Sequence, residues 1–278
     1  MNEPDPASTP GDEAVLAGAP NRRALVRRPS PRLADGLLTH LDRVPVDAEL
    51  AARQWAGYVG ALVSAGWQPI EVPPADGQPD SVFVEDTMVV FGDLAVIARP
   101  GAPTRRPETA DAEGAVAAAG YRIQHILAPG TLDGGDVLKV GSTIYVGLSS
   151  RTNTAAIEQL SGFLAPLGGK VVAVPTTKVL HLKSAVTALP DGTVIGYPPL
   201  VDDPAVFEEF RPVPEPAGAH VVLLGPTPSG TEQLLMAAGA PRSAELFADL
   251  GYRPVAVDIS EFEKLEGCVT CLSVRLRG

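Results

Sequence analysis

A thiol, an imidazole and several carboxylates sit in this chain at places where they could serve as a cysteine nucleophile with its base and orienting acid. Cys271 lies in Cys-Val-Thr-Cys-Leu-Ser-Val-Arg at 268–275, an apolar run that reads as a buried strand. Acidic pairs and a histidine recur after comparable apolar segments: Phe-Val-Glu-Asp at 83–86, Asp-Gly-Gly-Asp at 133–136 and His-Leu-Lys-Ser at 181–184. Each piece has a plain structural reading. The paired glycines at 134 and 135 suit a hairpin turn, His181 suits a half-buried histidine, and Cys271 suits inert core. Glu85 and Asp86 are harder to dismiss, because two adjacent carboxylates at the end of an apolar strand need partners or a cation. Arg105, Arg106 and Arg151 lie in loops and form a second pole able to hold a carboxylate. Together the two poles suit a ligand with a cation at one end and a carboxylate at the other.

The elements that must position these residues repeat along the chain. Helical periodicity over 47–65, with apolar Trp55, Tyr58, Val59, Leu62 and Val63, is followed by Gly66 and a short strand. Asp47 is a plausible N-cap and Gly66 a left-handed C-terminal residue. The same phrase returns over 108–126, 154–174 and 243–257, with glycines at 120, 168 and 251, and a weaker copy spans 204–224 around Gly218. Further strands are expected near 87–91, 94–98, 143–146, 185–189 and 193–196. Such a repeat predicts five units of strands plus one helix, closing around an axis. Glu85, Asp133, His181 and Cys271 follow repeat glycines at similar offsets, so closure would bring them to one pocket.

The 278 residues carry a net charge of −11, which argues against nucleic-acid and anionic-membrane partners. Two cysteines make no disulfide framework. The β-like setting of Cys268 and Cys271 argues against a redox Cys-x-x-Cys, and the ligand set is thin for structural zinc. The first ~20 residues have the composition of a flexible tail rather than a signal peptide. No apolar stretch is long enough to span a membrane. A cytoplasmic protein is expected, with a tail over 1–22 and a single domain over 23–278.

Six strings in order resemble the dimethylarginine dimethylaminohydrolase family, of the guanidino-group modifying superfamily, over about 24–278. They are Asp80-Ser-Val-Phe-Val-Glu-Asp86, Arg99-Pro-Gly-Ala-Pro-Thr-Arg-Arg106, Thr131-Leu-Asp-Gly-Gly-Asp-Val-Leu138, Val146-Gly-Leu-Ser-Ser-Arg-Thr-Asn153, Leu180-His-Leu-Lys-Ser184 and Thr270-Cys-Leu-Ser-Val274. The resemblance implies a pentein, a five-bladed α/β propeller. It implies that Cys271 is the nucleophile, His181 the general acid/base and Asp133 its orienting carboxylate. It further implies that Asp86, with Glu85 beside it, holds the guanidinium, that Asp80 and the backbone of Leu265 surround the substrate amine, that Arg105 and Arg151 bind the α-carboxylate, and that Leu38 belongs to a covering flap. The implied reaction converts asymmetric dimethylarginine or monomethylarginine to citrulline and dimethylamine or methylamine through a thiouronium on Cys271. It needs no metal or cofactor, and it implies a small-molecule substrate and a monomer or homodimer.

Arginine deiminase is the nearest alternative on the same fold. That family usually has a second guanidinium-binding aspartate two residues after the histidine, where this chain has Lys183. A lysine there is expected to repel an unsubstituted guanidinium and favour a methylated one. A non-catalytic binder of cationic amino acids and a thiol redox protein using Cys268 and Cys271 are the alternatives of other classes.

Overall fold

The structure, a computed structural model, describes residues 22–277. The expected tail lies outside the described residues except for Arg22, which opens the first strand. Five three-stranded sheets share one plan, a middle strand antiparallel to one neighbour and parallel to the other. In chain order come β1 (Arg22–Val26), α1 (Ala48–Ser64) and β2 (Gln68–Glu71), then β3 (Met88–Phe91), β4 (Leu94–Ile97), α2 (Thr109–Ala118) and β5 (Arg122–His125). The third module has β6 (Val137–Val140), β7 (Thr143–Leu148), α3 (Thr154–Leu164) and β8 (Lys170–Pro175). The fourth has β9 (Val186–Ala188), β10 (Val194–Gly196) and β11 (Phe210–Pro212). The fifth has β12 (Val221–Pro226), β13 (Glu232–Ala237), α4 (Pro241–Asp249) and β14 (Arg253–Val257). After the short helix α5 (Ser260–Glu263), β15 (Val274–Arg277) returns to pair with β1, Val274 opposite Leu25. The first module is thus built from both ends of the chain.

A parallel partner requires a crossover, and α1, α2, α3 and α4 supply it in their modules. The Asp47 carboxylate accepts the Leu50 amide and starts α1. Gly66, Gly120, Gly168 and Gly251 follow the helical segments at φ of +80°, +93°, +81° and +87°, the left-handed geometry that turns the chain into the next strand. On α1 the buried face is Ala51, Gln54, Tyr58 and Leu62, while Val63 is 53% exposed, so the apolar stripe is rotated from the one periodicity suggests.

The fourth module departs from the expected repeat. Its crossover contains the single-turn segments Pro198–Leu200 and Pro204–Val206 in place of a helix, because its prolines lack amide donors and clash with a preceding turn. Residues 221–226 open the fifth module instead of closing the fourth. Gly218 is not left-handed; a Cβ there would come within 2.0 Å of Ser243 Oγ, so its smallness serves packing.

Apolar side chains form five clusters, each between successive modules. One joins β12 and β13 (Val222, Leu224, Leu235) to β1 and α1 (Ala24, Val26, Tyr58, Leu62). The modules therefore follow one another in a pseudo-fivefold α/β arrangement of the pentein kind. Short turns precede their antiparallel strands: Val84–Thr87 before β3, Gly134–Asp136 before β6, Leu182–Ser184 before β9 and Pro216–Ala219 before β12. Before β15 the chain also turns, closed by the Cys271 amide on the Cys268 carbonyl at 3.1 Å. Cys271 therefore lies in a turn and not in the strand the apolar run suggests. Among the described residues no helix is long and apolar enough to cross a membrane.

Candidate active site

The turns that begin the modules meet at one end of the molecule and are stitched to one another. The Glu85 amide donates to the Cys271 carbonyl at 3.1 Å, the Gly135 amide to Asp86 Oδ1 at 2.9 Å, and the Leu182 amide to Asp136 Oδ1 at 2.9 Å. A narrow cavity there is lined by Asp80, Phe83, Asp86, Arg105, Arg151, Leu180, His181, Leu265 and Cys271, with Leu37, Glu266 and Gly267 at its cover. The structure thus brings together Cys271, His181, Asp86, Asp80, Arg105, Arg151 and Leu265 as residues lining one space, and holds Asp133 directly behind His181.

The glycines of Asp-Gly-Gly-Asp serve close approach instead of a hairpin. A Cβ on Gly134 would fall 2.1 Å from the Glu85 carbonyl, and one on Gly135 would fall 2.6 Å from both Asp86 Oδ1 and His181 Nδ1. Asp133, fully buried, takes His181 Nε2 at 3.0 Å, the Gly101 amide at 2.9 Å and Arg151 Nη1 at 3.3 Å. His181 Nδ1 lies 3.7 Å from Asp86 Oδ1. Burial pushes the imidazolium down, but Asp86, the bond to Asp133, and Asp136 outweigh it and raise the ring to about 9. Burial pulls Asp86 up, yet His181 and Arg105 overcome it and hold its carboxyl at about 2. At neutral pH the pair is therefore imidazolium and carboxylate.

Asp136 is a supporting residue that motif reading passed over, although it is the second acid of the same string. Its carboxylate accepts Ser149 Oγ at 2.7 Å, Thr152 Oγ1 at 2.6 Å and the Leu182 amide. It ties the loop that carries Arg151 to the turn that follows His181. Burial raises it to about 6 against the pull of His181 and these donors.

The cationic groups are arranged less simply than two opposite poles. Arg105, 4% exposed, gives Nη1 to Asp86 Oδ2 at 2.6 Å, Nη2 to Glu108 Oε2 at 2.8 Å and Nε to both Glu108 oxygens. The residues expected to hold opposite ends of a ligand are thus in direct contact. Glu108, three residues after Arg105, was readable as an i,i+3 partner. Arg151 pairs with Asp133 at 3.3 Å and lines the cavity. Arg106 instead donates to the Pro100 carbonyl.

Glu85 and Lys183 differ most from the sequence reading. Lys183 Nζ sits 2.6 Å from Glu85 Oε1, which Arg275 also contacts at 2.8 Å. Neither Glu85 nor Lys183 lines the cavity; Lys183 and Arg275 face a separate cavity, of about 370 Å³, bordered by β6, β9 and β12. The ammonium is drawn away by the buried carboxylate, so it does not confront a guanidinium in the site. At the flap Leu38 packs against the core cluster, and Leu37 lines the cavity with its amide on Asp80 Oδ1 at 3.0 Å. Burial raises the Asp80 carboxyl, opposed by Arg105 and the Leu37 amide. Glu266, at φ +60°, accepts the amides of Thr39, His40 and Leu41 and latches the same segment.

Cys271 is 4% exposed and its Sγ lies 3.3 Å from that of Cys268. Either sulfur can donate in this contact, and the neighbouring sulfur together with burial raises the Cys271 thiol. Ligand atoms of Asp86, Asp133 and His181 lie within 4.8 Å of one another, a grouping able to surround a metal ion, but all three residues are already engaged by Arg105, Arg151 or each other.

Known proteins resemble this chain along most of its length. The arginine deiminase family model matches residues 69–223. The N(G),N(G)-dimethylarginine dimethylaminohydrolase of Streptomyces coelicolor is 64% identical over 258 residues, 93% of this chain and 98% of that protein. Its namesake from Pseudomonas aeruginosa is 35% identical over 91% of this chain and 99% of its own length. A crystal structure of the Pseudomonas aeruginosa protein, a cysteine-to-serine mutant complexed with citrulline, superposes with a TM-score of 0.83 at 34% identity, covering 91% of this chain and 98% of that one. The N-terminal domain of ArgZ, an arginine dihydrolase, shares the fold at a TM-score of 0.81 and 20% identity, over 92% of this chain and 98% of that one.

Proposed function

The chain belongs to the dimethylarginine dimethylaminohydrolase family, and we propose that Cys271, His181 and Asp133 carry out its reaction while Asp86, Asp80, Leu265, Arg105 and Arg151 hold the substrate. The protein is a hydrolase that converts N-methylated arginine to citrulline and the methylated amine. The observation that carries the residue assignment is the buried His181–Asp133 pair at 3.0 Å, whose imidazole lines one cavity with Cys271 and Asp86.

In this reading the Cys271 thiolate adds to the guanidinium carbon, and the tetrahedral adduct expels the amine as His181 protonates it. An imidazole raised to about 9 is loaded with that proton at neutral pH. The amine leaves a thiouronium on Cys271. His181, now neutral, deprotonates a water that adds to the same carbon, and collapse releases citrulline and restores the thiol. The neighbouring sulfur and burial raise the resting Cys271 thiol, and the bound cationic guanidinium together with the His181 imidazolium favours its thiolate.

Asp86 takes the guanidinium in place of Arg105 Nη1, one cation for another. The freed Nη1 then joins Arg151 at the α-carboxylate, while Asp80 and the Leu265 carbonyl take the amine. Preference for methylated arginine rests on the withdrawal of Glu85 to Lys183 and Arg275, which leaves Asp86 as the guanidinium acceptor. A free arginine would bury a terminal nitrogen without an acceptor, at a cost of about 1–3 kcal/mol.

The finer reading follows the same lines: a single catalytic domain over 23–278 preceded by a tail, working in the cytoplasm on a small molecule, without nucleic-acid or membrane partners, as a monomer or homodimer. The net charge of −11 supports the absence of nucleic-acid and anionic-membrane partners. The test is incubation with asymmetric dimethylarginine, monomethylarginine, arginine and agmatine, measuring citrulline or its analogue and the released amine. The methylated substrates are expected to exceed arginine in kcat/KM by at least about tenfold. Equal or better turnover of arginine would make the protein a deiminase, and equal turnover of agmatine would remove Arg105 and Arg151 from carboxylate binding.

A further inference from the structure

Two thiols are in contact beside the site, and hydrolysis uses one of them. Cys268 and Cys271 are both free and buried, with Sγ atoms 3.3 Å apart. The Cys271 amide on the Cys268 carbonyl closes a four-residue turn, which holds the two Cα atoms within about 7 Å. A disulfide bridges Cα atoms about 4.4–6.8 Å apart, so side-chain rotation suffices to join the sulfurs. Cys271 lines the site cavity, whereas Cys268 stands behind it, against Thr270 Oγ1 at 3.2 Å. An entering oxidant therefore meets Cys271 first and finds a second sulfur in place to resolve the product. The turn also removes the objection that a strand setting raised against a redox Cys-x-x-Cys here.

We propose that Cys271 and Cys268 form a reversible intramolecular disulfide when a hydroperoxide enters the unoccupied site, which switches hydrolysis off and spares the nucleophile from irreversible oxidation. The Cys271 thiolate attacks one peroxide oxygen; an S–O bond forms, the O–O bond breaks, and the leaving hydroxide is protonated to water. The Cys268 thiolate then attacks the Cys271 sulfur; an S–S bond forms, the S–O bond breaks, and a second hydroxide leaves as water. Two thiols have lost two electrons, and hydrogen peroxide has been reduced to two waters. A dithiol reverses the change by two thiol–disulfide exchanges. A bound substrate fills the cavity and slows the first step. The loss of activity, though not the bridge itself, rests on Cys271 as nucleophile.

The experiment treats the full-length protein with hydrogen peroxide, with and without citrulline, then follows activity and non-reducing peptide mass maps before and after dithiothreitol. The expected result is a 268–271 bridge with loss of two hydrogens, activity lost in parallel and restored by dithiothreitol, and slower loss with citrulline present. Cys268→Ser and Cys268→Ala should keep basal turnover within about threefold but lose it to peroxide beyond rescue, as Cys271 advances to sulfinic acid. Cys271 sulfinic acid without a bridge in the wild-type protein would overturn the proposal, as would full dithiothreitol recovery in the Cys268 variants. A bridge that forms while turnover persists would instead overturn Cys271 as nucleophile, and with it the switch.

Discussion

At the scale of residues, the site is governed by His181 and the acids around it. Its pKa stands at about 9, above the ordinary value of 6.5, so the acid form persists through neutrality and is lost as pH rises through about 9. A fall in kcat/KM above that pH is expected in a pH–rate profile. Asp133→Asn removes one of the groups that raise the ring, so the alkaline limb should move to lower pH and turnover should drop by about 10²–10⁴-fold; an unmoved limb would separate Asp133 from His181. The same sign applies to stability: the stabilisation that the protonated ring gains from its acids is complete below 6.5 and disappears as pH climbs to about 9. Gly135→Ala would press a methyl group against Asp86 and His181 at 2.6 Å. Its expected effect is a loss of turnover larger than any loss of melting temperature, measured by kinetics and thermal unfolding together.

The residue types of this site were legible because a thiol, an imidazole and acids recur at matching offsets. What those side chains contact was not. Nothing in Glu85-Asp86 says that the first acid turns toward Lys183 and Arg275 while the second faces the cavity; that is decided by which side of the turn each one leaves. Nor does the spacing of Arg105 and Asp86 say that the guanidinium lies directly on that carboxylate.

At the scale of elements, the short turns before β3, β6, β9 and β15 do the positioning, and the segment around Leu37 covers what they assemble. The Glu266 carboxylate grips three successive amides of that segment. Glu266→Ala is expected to raise KM for methylarginine about three- to tenfold with a smaller change in kcat, since charge-assisted bonds to exposed backbone are screened by water. Steady-state kinetics, with hydrogen exchange at residues 39–41 as the structural readout, check this. Helix ends were readable where Asp47 and the left-handed glycines mark them. The fourth crossover was not, because prolines replace the helix there while the strands around it persist. The turn at 268–271 was hidden for another reason: its residues are as apolar as a strand, and burial gives both the same composition.

At the scale of the whole molecule, β15 closes the first module against β1, so the strand that follows Cys271 is secured by the opposite end of the chain. Leu276, fully buried in that module, should cost about 2–5 kcal/mol when cut to alanine, seen as a lower urea midpoint, with activity per folded molecule nearly kept. Four of the five repeats were visible in the spacing of helices and glycines, at Gly66, Gly120, Gly168 and Gly251, and the repetition places equivalent turns at one end. The most direct measurement is mass spectrometry of wild-type protein acid-quenched during turnover of asymmetric dimethylarginine. A substrate-derived thiouronium on the peptide that contains Cys271, absent in Cys271→Ser along with turnover, is the expected result. Turnover without such an adduct, or a Cys271→Ser variant that retains more than a small fraction of kcat, would contradict covalent hydrolysis at this thiol.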